Sequence, residues 1–243
     1  MKKVKISAVS YANTYPFLYG IEELLNSDTY TLSLDVPSEC ARKLQHNEVD
    51  LGLIPVAMIP AIDNAEIISD YCIGADGPVK TVLLMSKTPL EKIKTVYLDT
   101  DSRSSAQLLK ILAREHWKTN WIYKELPDGF AANNEIESIL LIGDKTQKPL
   151  PYTYIYDLAE VWKEFTGKPF VFAAWVANKK LDPTFVNKFN EAINYGLNNI
   201  DNSIIKYNHS HDYDLGEYLN KYISYKFTEE KKIALKLYLG FIK

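Results

Sequence analysis

The stretch Val9-Ser10-Tyr11-Ala12-Asn13-Thr14-Tyr15-Pro16-Phe17 joins a short apolar run, Val4 to Val9, to a helical pattern, Phe17 to Leu25. Polar side chains and one proline separate the two. This reads as a strand–loop–helix junction at the carboxyl end of a strand, where open α/β sheets hold their ligands. Pro16 suits the first turn of a helix, where no N–H is needed. Taken alone, Ser10, Asn13 and Thr14 are ordinary turn residues; the weight comes from recurrence. Tyr30 to Val36 alternates like a half-buried strand and ends at Pro37-Ser38-Glu39, with a helix from Cys40 to Leu44. Ser38 is the expected N-cap, with Glu39 in the favourable first turn. Asp50 to Ile54 is a third strand running into Pro55-Val56-Ala57-Met58-Ile59-Pro60. Three β-to-α units in about 60 residues set the rhythm of a parallel sheet in an α/β fold.

Outward from there, Glu66 to Ser69 and Cys72 to Gly74 predict short strands, and Thr81 to Met85 a buried one. Ser86-Lys87-Thr88-Pro89 reads as a boundary. A new α/β pattern follows: a strand Thr95 to Leu98, a polar turn Asp99 to Ser105, a helix from Ala106 to about Trp117, and a strand from Ser138 ending at Gly143-Asp144. Asp157 to Gly167 has the acidic start and glycine stop of a helix. Phe170 to Ala177 is a long apolar strand, and Asn178 to Pro183 a second boundary. Asp182 caps a helix whose Phe185, Phe189, Ile193, Gly196 and Ile200 share one face. Helical patterns at Asp214 to Tyr225 and Thr228 to Phe241 complete the chain. Two boundaries around an α/β block predict an inserted lobe. Residues 1–86 and 180–243 form the first lobe and 87–179 the second, with crossings near 86–90 and 177–182 acting as a hinge over a ligand cleft.

Composition narrows the function. The 243 residues are 47% hydrophobic, enough for a packed core and against bulk disorder. Net charge is −3, with no basic excess to hold a phosphate backbone, so nucleic acid is excluded as the expected partner. Cys40 and Cys72 make neither a disulfide framework nor a metal site. No stretch approaches a membrane span, and the run after Met1-Lys2-Lys3 is too short for a signal peptide and is broken by Lys5. The expectation is a cytoplasmic protein. His209 and His211 lie close to Asp212, but such a polar connector is more often a solvated loop, and no distant third ligand accompanies it. The nucleotide-loop, zinc-protease and Cys-x-x-Cys patterns are absent, and the serines have no evident His partner.

The strongest local chemistry is Asp99-Thr100-Asp101-Ser102-Arg103-Ser104-Ser105. Arginine occurs only at 42, 103 and 114, and one of the three sits in this serine-rich helix start. Free N–H groups there attract anions, and hydroxyls and a guanidinium add donors shaped for a carboxylate. The alternative is a solvated cap with an exposed arginine.

Ser10-Tyr11-x-Asn13-Thr14-x-Pro16-Phe17 followed by Tyr19-Gly20, then Ser102-Arg103-Ser104-Ser105, then Ile142-Gly143-Asp144, together resemble the chorismate dehydratases of the futalosine route to menaquinone. Further similarity lies in Leu53-Ile54-Pro55-Val56, in Tyr156-Asp157-Leu158 with Trp162, and in Pro169 to Ala173 with Trp175. The resemblance implies a two-lobed fold similar to type II periplasmic binding proteins. It implies dehydration of chorismate to 3-[(1-carboxyvinyl)oxy]benzoate, with no cofactor. Ser10, Tyr11, Asn13 and Ser38 would face the ligand from the first lobe; Ser102, Arg103, Ser104, Ser105, Gly143 and Asp144 would face it from the second. A sister family of the same pathway, the dihydroxynaphthoate synthases, carries Ile-His-Glu where this chain has Ile142-Gly143-Asp144, which favours the dehydratase. The chain departs from its relatives at Lys145-Thr146-Gln147, where small apolar residues are usual, and at Ala12 and Tyr15.

The matched loops offer no strong base. Asn13 is therefore the expected catalytic residue as a hydrogen-bond donor, with the substrate's own enolpyruvyl carboxylate taking the proton. The competing class is a non-catalytic binding protein for a small carboxylate. Donors without an acid or base favour it; the missing export signal counts against it.

Overall fold

The computed structural model describes residues 3–99, 101–127, 136–147, 150–207 and 213–242. Thr100 and the His209–His211 connector lie outside these residues. The chain opens with β1 (Val4–Val9), α1 (Tyr15–Leu24), β2 (Tyr30–Asp35), α2 (Pro37–Gln45), β3 (Leu51–Pro55) and β4 (Glu66–Ala75). It continues through β5 (Val82–Ser86), β6 (Thr95–Leu98), α3 (Arg103–Ile111), β7 (Ile122–Glu125), β8 (Ser138–Ile142), β9 (Tyr154–Asp157) and α4 (Leu158–Thr166). It closes with β10 (Phe170–Ala177), α5 (Pro183–Leu197), α6 (Ile200–Tyr207), α7 (Leu215–Glu217) and α8 (Glu229–Phe241).

Two five-stranded sheets result, ordered β2-β1-β3-β10-β4 and β7-β6-β8-β5-β9. Each has three parallel strands with the first in the middle, followed by an antiparallel strand and an edge strand. The antiparallel strand is in each case the one that arrives from the other sheet. The boundaries expected at 86–90 and 177–182 therefore fall one strand late. β5 pairs with β8 and β9, and β10 with β3 and β4, so the chain crosses at residues 76–81 and between β9 and β10. The reason is physical: β5 and β10 are buried at every residue, so no alternation ties either to one sheet. The polar turns after them are ordinary surface turns.

The first crossing is clamped. Asp157 caps α4, accepting from Ala159 N and Glu160 N through Oδ1, while its Oδ2 accepts from Val79 N (2.9 Å) and Lys80 N (2.7 Å). Lys80 sits at φ 66°, a left-handed conformation uncommon for a residue with a Cβ. Its N–H bond to Asp157 helps hold it there.

α1 lies on α5 with helix backbone against helix backbone. A Cβ on Gly20 would sit 1.8 Å from the Ala192 carbonyl oxygen, and one on Gly196 would sit 1.8 Å from that of Pro16. Beneath this crossing Phe17 packs against Trp175 (5.9 Å between ring centroids) and Tyr225 (5.2 Å), and Trp175 against Phe189 (5.0 Å). Such pairs add ~0.5–1.5 kcal/mol each beyond their buried area.

The pattern read as one helix from Asp214 to Tyr225 is split. α7 passes into a π turn, Tyr218–Tyr222, and the chain then runs extended along the edge of β4. Cys72 N donates to Tyr225 O and Phe227 N to Asp70 O. The buried Lys231 ammonium secures this segment, donating to Ser224 Oγ and Lys226 O, both at 2.8 Å. α3 likewise starts earlier than expected, at Arg103, and ends in a second π turn, Leu112–His116. Among the described residues, no helix is long and apolar enough to cross a membrane.

Candidate functional site

β1 delivers the chain into the junction at its carboxyl end. Ser10 N donates to Asp35 O, continuing the β1–β2 ladder, and the Ser10 side chain is exposed. A 3-10 turn, Ala12–Thr14, follows. Ala12 and Thr14 point into the core, which leaves Tyr11 and Asn13 on the wall of a cavity. From the other side α3 presents its first turn to the same cavity. Ser102 caps the helix, accepting from Ser105 N, and the two hydroxyls lie 3.0 Å apart. Both line the cavity, as does Gly143. The space between the walls comes to about 500 Å³ including its open mouth. Pro55, Ile73, Ile142 and Phe172 supply apolar wall, and among the described residues no Lys or Arg side chain lines it.

Gly143 is required twice over. Its φ is 62°, and a Cβ there would approach the Tyr11 ring to 3.1 Å. Its N–H donates to Thr81 O at 2.8 Å, tying the end of β8 to the first crossing.

Of the residues singled out in the sequence, Tyr11, Asn13, Ser102, Ser105 and Gly143 meet around this one space. Ser10, Ser38, Arg103, Ser104 and Asp144 stand outside its wall. Ser38 is not the cap of α2: the helix starts at Pro37 with Val36 as cap residue, and Ser38 N donates to Asp101 O (3.1 Å). The β-region Val36 and the ring of Pro37 already set the helix start there. Arg103 is exposed and makes no hydrogen bond or ion pair among the described residues. Ser104 is buried, its Oγ accepting from Ala57 N and its carbonyl from the Tyr238 hydroxyl. Asp144 accepts from the Tyr213 hydroxyl at 2.9 Å.

Asp101, next to Ser102, links the two walls. It takes the Tyr11 hydroxyl (3.1 Å) and Lys145 Nζ (2.6 Å), while Lys145 also reaches the buried Asp99 (3.0 Å). Burial disfavours the Lys145 charge, but the hydrogen bonds to Asp101 and Asp99 outweigh it and raise its pKa. Burial first, then the charges of Asp101 and Asp99, push the Tyr11 hydroxyl far above its ordinary range, so it remains a donor. The lysine at which the chain departs from its relatives thus neutralises carboxylates supplied by its own α3 turn.

Sequence reasoning missed Thr81, which lines the cavity from the crossing, and two tyrosines behind Asn13. Tyr225 donates to the Asn13 carbonyl at 3.0 Å, and Tyr218 lies 2.9 Å from the Thr81 hydroxyl. Nothing local marks these tyrosines, which arrive from some 200 residues further along the chain. Burial pushes the Cys40 thiol to about 12 and the Cys72 thiol to about 11, so neither offers a thiolate near neutrality. Among the described residues, no group of three or more His, Cys, Asp or Glu side chains is placed to hold a metal ion.

Comparison with known proteins adds to this geometry. Residues 4–243 match the family described as menaquinone biosynthesis. The chain is 27% identical over 218 residues to the chorismate dehydratase of Thermus thermophilus, covering 81% of this chain and 79% of that protein. A protein of Archaeoglobus fulgidus of known structure aligns with TM-score 0.77 at 16% identity, covering 98% of this chain and 96% of the other. The periplasmic aliphatic sulphonate binding protein of Escherichia coli aligns with TM-score 0.64 at 14% identity, covering 100% and 92%. At such identities the structural matches show the fold: a two-lobed α/β architecture of the periplasmic-binding-protein kind.

Proposed function

The chain belongs to the menaquinone biosynthesis family, and from that premise we propose that it dehydrates chorismate to 3-[(1-carboxyvinyl)oxy]benzoate in the cytoplasm. The observation that carries this reading is the convergence of Tyr11 and Asn13 with Ser102, Ser105 and Gly143 on one largely apolar cavity. These residues come from the three segments that resemble the dehydratases.

Chorismate carries two carboxylates, and burying either without donors is costly. The α3 N-terminus, with the Ser102 and Ser105 hydroxyls, receives one of them as a neutral anion site. The C–H bond at the ring carbon bearing the enolpyruvyl ether breaks, its electron pair enters the ring, and the neighbouring C–O bond breaks with loss of water. The reaction is redox-neutral, and aromatisation drives it. The substrate's enolpyruvyl carboxylate, held close in a site that excludes bulk water, takes the proton and passes it to the departing hydroxide, which leaves as water. Asn13 donates to the group on which charge develops. The surroundings of Asp144 support this reading: its carboxylate accepts from Tyr213 and it is not part of the cavity wall.

Incubating the protein with chorismate and following the aromatic product by absorbance and mass spectrometry tests the activity. Product with loss of one water is expected; saturable binding with chorismate unchanged would make the protein a carboxylate receptor instead. Asp144→Asn is expected to keep most of the turnover. Near-total loss with fold and binding intact would make Asp144 the base and end the substrate-assisted mechanism.

A further inference from the structure

The turn that opens α3 carries two carboxylates close to where the site must seat a ligand's anion. Asp99 follows β6 and is buried, its Oδ1 accepting from Asp101 N at 3.1 Å. Asp101 stands directly before the Ser102 cap and accepts from the Tyr11 hydroxyl. Tyr11, Ser102 and Ser105 all line the cavity. A ligand carboxylate held by the two serine hydroxyls therefore sits near both acidic side chains. At such range, in a site poor in water, each like charge weighs against it.

The compensating charge does not come from the turn itself, since Arg103 is exposed. It comes from the 3-10 turn Gly143–Gln147 that follows β8. Lys145 Nζ lies 2.6 Å from Asp101 Oδ2 and 3.1 and 3.0 Å from the two oxygens of Asp99. Gly143, on the same turn, is part of the cavity wall. The Lys145 side chain is 46% exposed, and an ion pair that open to water adds little to stability. The field it cancels matters more. With two carboxylates and one ammonium, one net negative charge stands beside the α3 N-terminus; without the ammonium there are two.

We propose that Lys145 sets how tightly the cleft holds an anionic ligand, by neutralising the carboxylates of the α3 turn rather than by touching the ligand. The inference rests on the reading of the α3 N-terminus as the seat of a ligand carboxylate.

The probe is the dehydration product, 3-[(1-carboxyvinyl)oxy]benzoate, a dianion that does not turn over. Lys145→Met keeps the length of the side chain and drops its charge. Its Kd for the product and its KM for chorismate should rise ~10-fold, with kcat within ~2-fold of the parent. Raising salt from ~0.05 M to ~0.5 M should close most of that gap. Adding Asp101→Asn to Lys145→Met restores the charge balance, and the asparagine oxygen still accepts from Tyr11. Kd should then return to within ~3-fold of the parent. Because Lys145→Met strands the buried Asp99, Asp101→Asn is also measured alone. It strands no charge, removes one negative charge from the turn, and should tighten product binding ~3–10-fold. A lysine that grips the ligand directly gives a different pattern, with the double variant as weak as Lys145→Met. That result, or binding by Asp101→Asn no tighter than the parent's, would overturn the inference. Failure of the underlying reading looks different again: the parent protein itself would bind no product, and the inference would fall with it.

Discussion

Asn13→Ala is expected to lower kcat for chorismate dehydration by ~10²–10³-fold, the usual loss when a donor to developing charge is removed. KM should change far less, because the interaction is strongest in the transition state. The expectation rests on how the residue is held. Its backbone is gripped by Tyr225 and its neighbours Ala12 and Thr14 are buried, so truncation leaves the turn in place. Asn13→Asp should be at least as harmful, since a carboxylate would face the carboxylates of the substrate. Steady-state kinetics beside thermal unfolding decide the matter. A kcat within ~3-fold of the parent, with an unchanged melting temperature, would remove Asn13 from the mechanism.

Gly20→Ala should have the largest effect on stability. The added methyl would meet the Ala192 carbonyl oxygen at 1.8 Å, its carbon at 2.8 Å and the Gly196 nitrogen at 2.9 Å. All three are helix backbone and cannot rotate aside as a side chain would. Relief requires α1 to lift off α5, opening the contacts of Phe17 with Trp175. Overpacking of this kind costs ~3 kcal/mol or more, which in a chain of this size lowers Tm by ~6–12 °C. Gly196→Ala, the reciprocal position, should behave alike. Because α1 begins next to Asn13, the surviving folded protein should also lose turnover. A Tm within ~2 °C of the parent in either variant would mean the helices part easily and the close approach is incidental.

What could be read in the sequence follows from how local the rules are. The β1 junction and the Asp182 cap were legible because a proline, a cap and a polar break between apolar runs obey nearest-neighbour chemistry. Which residues of the α3 turn face the cavity was not. Ser102 and Ser105 are three apart and share one face of the helix, whereas Arg103 and Ser104 are turned ~100° and ~200° away. One of those side chains therefore meets solvent and the other the Ala57 amide. The sheet membership of β5 and β10 was hidden by their uniform burial. Gly20 and Gly196 were visible in the pattern, but their meaning depends on two helices meeting across the fold. Tyr218 and Tyr225 carried no signal at all, because only the folded chain brings Thr81 to the one and Asn13 to the other.

The hydrogen bonds on Asp101 bear on timing. Its carboxylate takes the Tyr11 hydroxyl and its carbonyl takes Ser38 N, so one residue of the second lobe is fastened to two of the first. The lobes part at this point only in molecules where both bonds are open. At ~0.5–1.5 kcal/mol for each, that is on the order of one molecule in ten to one in a hundred at any instant. The same two bonds close behind the ligand. Their strength therefore cancels from the affinity and survives in the rates, slowing arrival and departure by the same factor. If the cleft opens along this line, the bonds on Asp101 set how often the lobes part, while the cavity residues act once they have closed.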